Sequence, residues 1–230
     1  MQAISQGAAE ALEADMTPLA DVDPQEWYFS QGYTDGLPVV PPTADKIAAM
    51  LDALGGDSAF LEARVPPRWG NLTRRVLAVN AVMAGCLPIY APVLRTAMRA
   101  MCENHFNLNA IQATTHVIAP LAIVNGPVRK QIGMNGSHGA FGPGNRANAT
   151  IGRAIRLILL NVGGALPGVL DKSTQGTPAK YSYCVAENEE DSPWAPYHVE
   201  KGYRPQDSLG VVRQWTVDIV IRLRSDHEDR

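Results

Sequence analysis

Residues 133–144, GMNGSHGAFGPG, place five glycines in twelve positions, with Asn135, Ser137 and His138 among them. Glycine lets backbone amides come close to a ligand, and the helix expected over 148–160 adds a partial positive charge where it begins. Arg146 stands at the entry of that helix and Arg153 one to two turns inside it. With Asn145 and Asn148 they form an expected cradle for a carboxylate or phosphate. The competing reading is a tight loop whose glycines serve backbone geometry alone. The polar side chains of Asn135, Ser137, His138, Asn145 and Asn148 favour a site, because a merely tight loop does not need them. Lys180 and Glu187, at the two ends of a strand expected over 180–186, complete the expected substrate-binding set.

Cys86 is the expected nucleophile or redox thiol. It sits at an elbow just before a helix, where the local dipole favours the thiolate. The alternative is a small buried hydrophobe, since cysteine is among the most buried residue types. His105, His116 and His138 are the histidines of the apparently folded region, and His138 or His116 is expected to move the proton. An acid–base group or a metal ligand is also available from these histidines with Glu187 or Glu189. No histidine pair has metal-ligand spacing, so neither a metal ligand nor a cofactor is assigned.

Three other chemistries are unsupported. Gly142-Pro143-Gly144-Asn145-Arg146-Ala147 fits G-x-G-x-x-A, but no hydrophobic strand precedes it and Pro143 lacks an amide donor. No C-x-x-C is present for a zinc ribbon or a thioredoxin-like pair, and no serine sits in a G-x-S-x-G elbow.

The elements that must position these residues are legible in outline. Thr43 caps a helix with Ile47, Met50, Leu51 and Leu54 on one face, stopped by Gly55-Gly56. Asn71 or Thr73 opens a second helix ending at Ala84, with Gly85 where a left-handed cap belongs. Pro92 lies in the first turn of a third, whose buried face carries Val93, Leu94, Ala97, Met98 and Met101. These two helices predict an αα-hairpin with Cys86 at its elbow. Residues 114–124 predict a buried strand bent at Pro120. The run 214–224 alternates, with Trp215, Val217, Ile219, Ile221 and Leu223 on one side, and predicts one long half-buried strand. The expected fold is α/β or α+β: a single mixed domain over 25–230 with a short sheet, the αα-hairpin and Pro/Gly-rich loops. Residues 1–24 are expected to be a flexible acidic arm.

Composition narrows the classes further. The chain has 230 residues, 46% hydrophobic and 19% charged, so apolar surface suffices to offset chain entropy and global disorder is excluded. A net charge of −3 with no Lys/Arg block argues against nucleic acid or an anionic membrane as partner. No stretch is apolar for the roughly 18 residues of a membrane span. Three scattered cysteines make no disulfide framework and suit a reducing compartment, so a cytoplasmic location is expected.

Several strings form a familiar set: YTDGLPVVPPT (33–43), NAVMAGCLPIYAPV (80–93), IQATTH (111–116), VNGP (124–127), GPGNRANATIGRAIRLILLNVGGALPG (142–168) and KYSYCVAENEEDSPW (180–194). Over about residues 27–215 the chain resembles the UGSC family of (seleno)proteins. The resemblance implies a redox-type enzyme family in which a selenocysteine or cysteine begins a U/C-G-S-C tetrad. This chain lacks the tetrad. The resemblance therefore implies either a companion subunit whose partner bears the thiol or selenol, or a protein working with Cys86 and the Asn/Arg/His cluster; a homo- or hetero-oligomer is expected. The expected function is an enzyme, or subunit of one, that binds a small anionic organic molecule and cleaves or reduces a carbon–heteroatom bond. The alternatives are a non-catalytic scaffold subunit of a two-component thiol/selenol enzyme and a metal-dependent hydrolase or lyase.

Overall fold

The computed structural model describes residues 12, 21–214 and 217–222. Helix α1 (Pro24–Ser30) starts where Asp23 accepts from the N–H groups of Gln25 and Glu26 at 2.8 and 3.2 Å, with Pro24 at a position that needs no donor. The Gln25 amide both donates to and accepts from the main chain of Val39 at 2.9 Å, which ties the 31–40 loop to the helix. Helix α2 (Ala44–Leu54) follows Thr43 and ends at Gly55, as its apolar spacing predicts.

Strands β1 (Leu61–Val65) and β2 (Gly70–Thr73) form an antiparallel hairpin around the Pro66-Pro67 turn. Thr73 then caps α3 (Arg74–Ala84), its hydroxyl accepting from the Val76 N–H at 3.2 Å, and Gly85 closes the helix at φ 90°. A single 3-10 turn (Pro88–Tyr90) leads into α4 (Ala91–Met101), so the expected αα-hairpin is present with Cys86 at its elbow. Short helix α5 (Leu108–Gln112), strand β3 (Leu121–Asn125) and short helix α6 (Val128–Gln131) lead to the glycine-rich loop. Helix α7 (Arg146–Asn161) leaves that loop. Strand β4 (Cys184–Ala186), helix α8 (Tyr197–Glu200) and strands β5 (Leu209–Gln214) and β6 (Val217–Arg222) complete the described elements.

Helices α3 and α7 form the interior: α3 buries ten of its 11 residues and α7 twelve of its 16. A polar lock holds them in register. Asn161 Nδ2 donates to Asn80 Oδ1 at 2.9 Å and to the Tyr33 carbonyl at 3.1 Å, while Asn80 Nδ2 donates to the Val76 carbonyl at 2.9 Å. The main sheet runs β4-β3-β5-β6, with β3 and β4 parallel and the other pairs antiparallel. Helix α7 lies against β4, and α4 against β5 and β6. The architecture is thus the expected α+β single domain, with eight helices and sheets of two and four strands among the described residues. No described helix is long and apolar enough to cross a membrane.

Three expectations are corrected. The strand expected over 114–124 begins only at Leu121, because the Thr114 hydroxyl and the His116 N–H close a local turn at 3.1 Å upstream. The strand expected over 180–186 is reduced to Cys184–Ala186, preceded by a 3-10 turn at Pro178–Lys180. The run 214–224 is not one strand, for Gln214 pairs with Val217 across a hairpin; Trp215, Thr216, Leu223 and Arg224 lie outside the described residues. Of the expected arm, only Leu12 and residues 21–24 are described, and Leu12 is fully buried in the core.

Candidate active site

The carboxyl ends of the parallel strands β3 and β4 lie side by side, the place where open sheets commonly leave a crevice. The glycine loop closes over that end and leaves a cavity of about 660 Å³, a size suited to a small organic molecule. Ile123 and Asn125 from β3, Val185 and Ala186 from β4, Glu187, Tyr197 and loop residues between Gly136 and Gly142 form its wall. Close approach demands glycine at 136, where a Cβ would stand 2.7 Å from the Ala186 carbonyl oxygen and 2.9 Å from that of Glu187. The same demand recurs at Gly152 in α7, where a Cβ would meet the Ser182 hydroxyl and stand 2.7 Å from the Tyr183 backbone nitrogen.

The polar residues of the loop hold the loop itself. Asn148 Oδ1 accepts from the Asn135 N–H at 3.0 Å, and its Nδ2 donates to the carbonyls of Asn135 and Ala140 at 2.8 and 3.1 Å. Asn135 Oδ1 accepts from the Ser137 N–H at 2.8 Å, and its Nδ2 donates to the His138 carbonyl at 2.9 Å. Asn145 Nδ2 donates to the Gly139 carbonyl at 3.2 Å. Contrary to expectation, the tight loop itself uses the side chains of Asn135, Asn145 and Asn148, which hydrogen-bond its main chain. Ser137 alone of this group reaches the cavity wall.

The expected cations are also committed elsewhere. Arg146 donates twice to the Gly85 carbonyl, at 3.2 and 3.0 Å, and so clamps the start of α7 to the αα elbow. Arg153 makes a two-point contact with Asp35, at 2.9 and 2.8 Å, and donates to the carbonyls of Leu37 and Pro38. Lys180 pairs with Asp171 at 2.5 Å and with the Ser173 hydroxyl at 2.6 Å. Burial pushes the Asp171 carboxyl up, but the hydrogen bonds from Lys180 and Ser173 outweigh it and hold the group below the usual carboxylate range. None of these three cations lines the cavity, so the expected Arg/Lys cradle for an anion is not assembled there.

Cys86 does lie against the first turns of α7, its Sγ 3.3 Å from the Thr150 carbonyl oxygen. It is nevertheless 8% exposed, and burial pushes its thiol up to about 12, more than the nearby Arg146 charge can offset. Cys184 is pushed up to about 12 as well, by burial first and then by Cys86 beside it. The activated thiolate expected at the elbow is corrected to a buried neutral thiol, because desolvation overrides the helix dipole. His116 is exposed in the 114–116 turn, where its carbonyl accepts from Ser173, and His138 is exposed with Nδ1 3.2 Å from the Ser137 hydroxyl. Neither belongs to the cavity wall.

Glu187 is the one expected catalytic-type group that the cavity contains. Its carboxylate accepts from the Tyr197 N–H at 3.0 and 3.1 Å and from the Asn125 side-chain amide. Behind it, Glu189 accepts from the Gly126 N–H and from Arg129, both at 2.6 Å, and Glu190 closes a second bond to Arg129 at 2.8 Å. Hydrogen bonds from Arg129 and Lys130 hold the Glu190 carboxyl down to about 2. The acidic run is thus partly a structural clasp. Sequence reasoning missed Asn125, Tyr197 and His198, the last fully buried at 0% exposure. The available signal is Glu187-x-Glu189 followed by a proline- and aromatic-rich stretch, Pro193-Trp194 and Pro196-Tyr197, which folds the chain back so that His198 meets Glu189. Comparison with protein-family models, with curated proteins and with solved structures finds no match for this chain.

Proposed function

We propose that the protein is an enzyme that binds a small polar organic molecule in the glycine-loop cavity and cleaves a carbon–heteroatom bond in it, with Glu187 moving the proton. The observation that carries this reading is the setting of the Glu187 carboxylate. It stands in a wall otherwise made mostly of glycine and apolar side chains, and its partners among the described residues are neutral amide groups. A carboxylate fixed in this way is a general base. It takes a proton from the carbon next to the leaving group; the released electron pair forms a carbon–carbon double bond and the heteroatom departs with its own bonding pair. The protonated Glu187 then returns the proton to the leaving heteroatom.

Cleavage is retained over reduction because the thiol assigned to redox work is buried and protonated. The likeness to the UGSC family supports an enzymatic role, and three free cysteines support a cytoplasmic site of action. Ligand-observed NMR against a library of small hydroxy, amino and thio acids tests the reading. Val185→Trp, which fills the cavity, abolishes the hits; Glu187→Gln lowers turnover of a hit by about 100-fold or more. Hits retained undiminished in Val185→Trp overturn it.

A further inference from the structure

His198 is fully buried, and its two ring nitrogens meet different neighbours. Nε2 faces the Pro205 carbonyl oxygen at 3.4 Å. A carbonyl only accepts, so the ring proton belongs on Nε2 and Nδ1 presents a lone pair. Among the described residues that Nδ1 has no hydrogen-bond partner. Glu189 Oε1, itself an acceptor, lies 3.9 Å from it. Two acceptors facing each other inside a protein are repulsive unless a cation lies between them, and 3.9 Å is too long for a shared proton.

Glu187 brings a third ligand atom to the same point: one atom each from Glu187, Glu189 and His198 lies within 4.8 Å of the others. Ligand atoms about 2.1 Å from a common ion stand about 3.4 Å apart in a tetrahedral shell, so the widest of these separations closes by up to about 1.4 Å when an ion binds. The backing already has the form of an outer shell. Gly126 N–H and Arg129 orient Glu189, Asn125 and Tyr197 orient Glu187, and the Pro205 carbonyl fixes the tautomer of His198. Asn125 adds a second orphan: its Oδ1 is buried without a partner among the described residues, on the same amide that donates to Glu187.

We propose that Glu187, Glu189 and His198 bind one divalent first-row transition-metal ion at the edge of the glycine-loop cavity, with an open coordination position for an oxygen of the substrate. One imidazole nitrogen and two carboxylates suit zinc or manganese rather than calcium or a thiol-loving ion. The ion supplies the positive centre that Arg146, Arg153 and Lys180 do not bring to the cavity, and so restores recognition of a carboxylate or similar anion. The proposal shares Glu187 with the cleavage reading and deepens it, but its test reads metal and not turnover, so either can fail while the other stands.

The full-length chain is stripped with chelator and titrated with zinc and manganese chloride by calorimetry, and with cobalt chloride by absorption. The expected result is one ion per chain. The cobalt form shows the ligand-field bands of an N/O site without the intense charge-transfer band of a thiolate. Glu187→Gln and His198→Gln each weaken binding at least about 100-fold, the upper end of what a mere outer-shell partner costs. Glu187→Gln is half-buried and nearly isosteric, so a folded variant is available even if the His198 change unfolds the chain. No binding by the native chain, binding unchanged in folded Glu187→Gln, or a thiolate signature in the cobalt spectrum overturns the proposal.

Discussion

Asn148 and Asn135 hold each other at both ends: the Asn135 N–H donates to Asn148 Oδ1 at 3.0 Å, and Asn148 Nδ2 donates back to the Asn135 carbonyl at 2.8 Å. This closed pair fixes the glycine loop to the first turn of α7. It lets five glycines describe one surface, and the loop can then serve as a rigid wall for the cavity.

Asn148→Ala removes that clasp and takes away the partner of the Asn135 N–H and of the Ala140 carbonyl, while the Asn135 carbonyl keeps the Ala186 N–H. The expected loss is about 2 kcal/mol, read from the midpoint of urea unfolding. Amide exchange accelerates over 134–142 before it does in α7. Unchanged exchange in the loop would show that the glycines hold their shape unaided.

Asp35 is 3% exposed at its side chain and neutralises Arg153. Asp35→Ala leaves a largely buried guanidinium with carbonyl partners but without its counter-charge, and the expected cost is about 3 kcal/mol. The midpoint of denaturant unfolding reads it directly. A negligible change would return Arg153 to the role of a cation waiting for a substrate anion.

The cysteines give a reactivity and a pH prediction together. With its thiol pushed up to about 12, Cys86 carries a thiolate fraction about 1,000-fold below that of a free cysteine at neutral pH. Iodoacetamide labels native Cys86 and Cys184 only as fast as the fold opens, as mass spectrometry of timed samples will show. The half-buried Cys102 is labelled ahead of both. The sign of the linkage follows from the raised value: the folded state keeps the proton longer. The neutral thiol's contribution is full below the ordinary value of 9.0 and is lost as pH climbs toward about 12. Rapid labelling of Cys86 at neutral pH would restore it as an activated nucleophile.

Caps are local chemistry, so Thr73, Gly85 and the α2 stop at Gly55 are readable from neighbouring residues alone, and with them the αα-hairpin. The interior helix α7 is legible from its unbroken apolar spacing. The β1–β2 hairpin is not, because Pro66-Pro67 reads as a connector when its strands are only five and four residues long. Between Gln214 and Val217 the sequence carries no Gly, Pro or Asn, and the alternation passes straight through. In the site, Glu187 is legible by type but not by place. His198 is invisible because its significance lies in an unpartnered nitrogen, which only the folded chain reveals. Arg146 and Arg153 mislead for the converse reason: their partners, Gly85 and Asp35, are 61 and 118 residues away.

Chemical-shift mapping of a bound small acid on isotope-labelled protein tests where the chemistry takes place. Perturbations gathered on Gly136, Gly139, Gly142, Val185 and Glu187 are the predicted outcome. Perturbations gathered instead on Asn145, Arg146 and Cys86, with the strand ends silent, would contradict it.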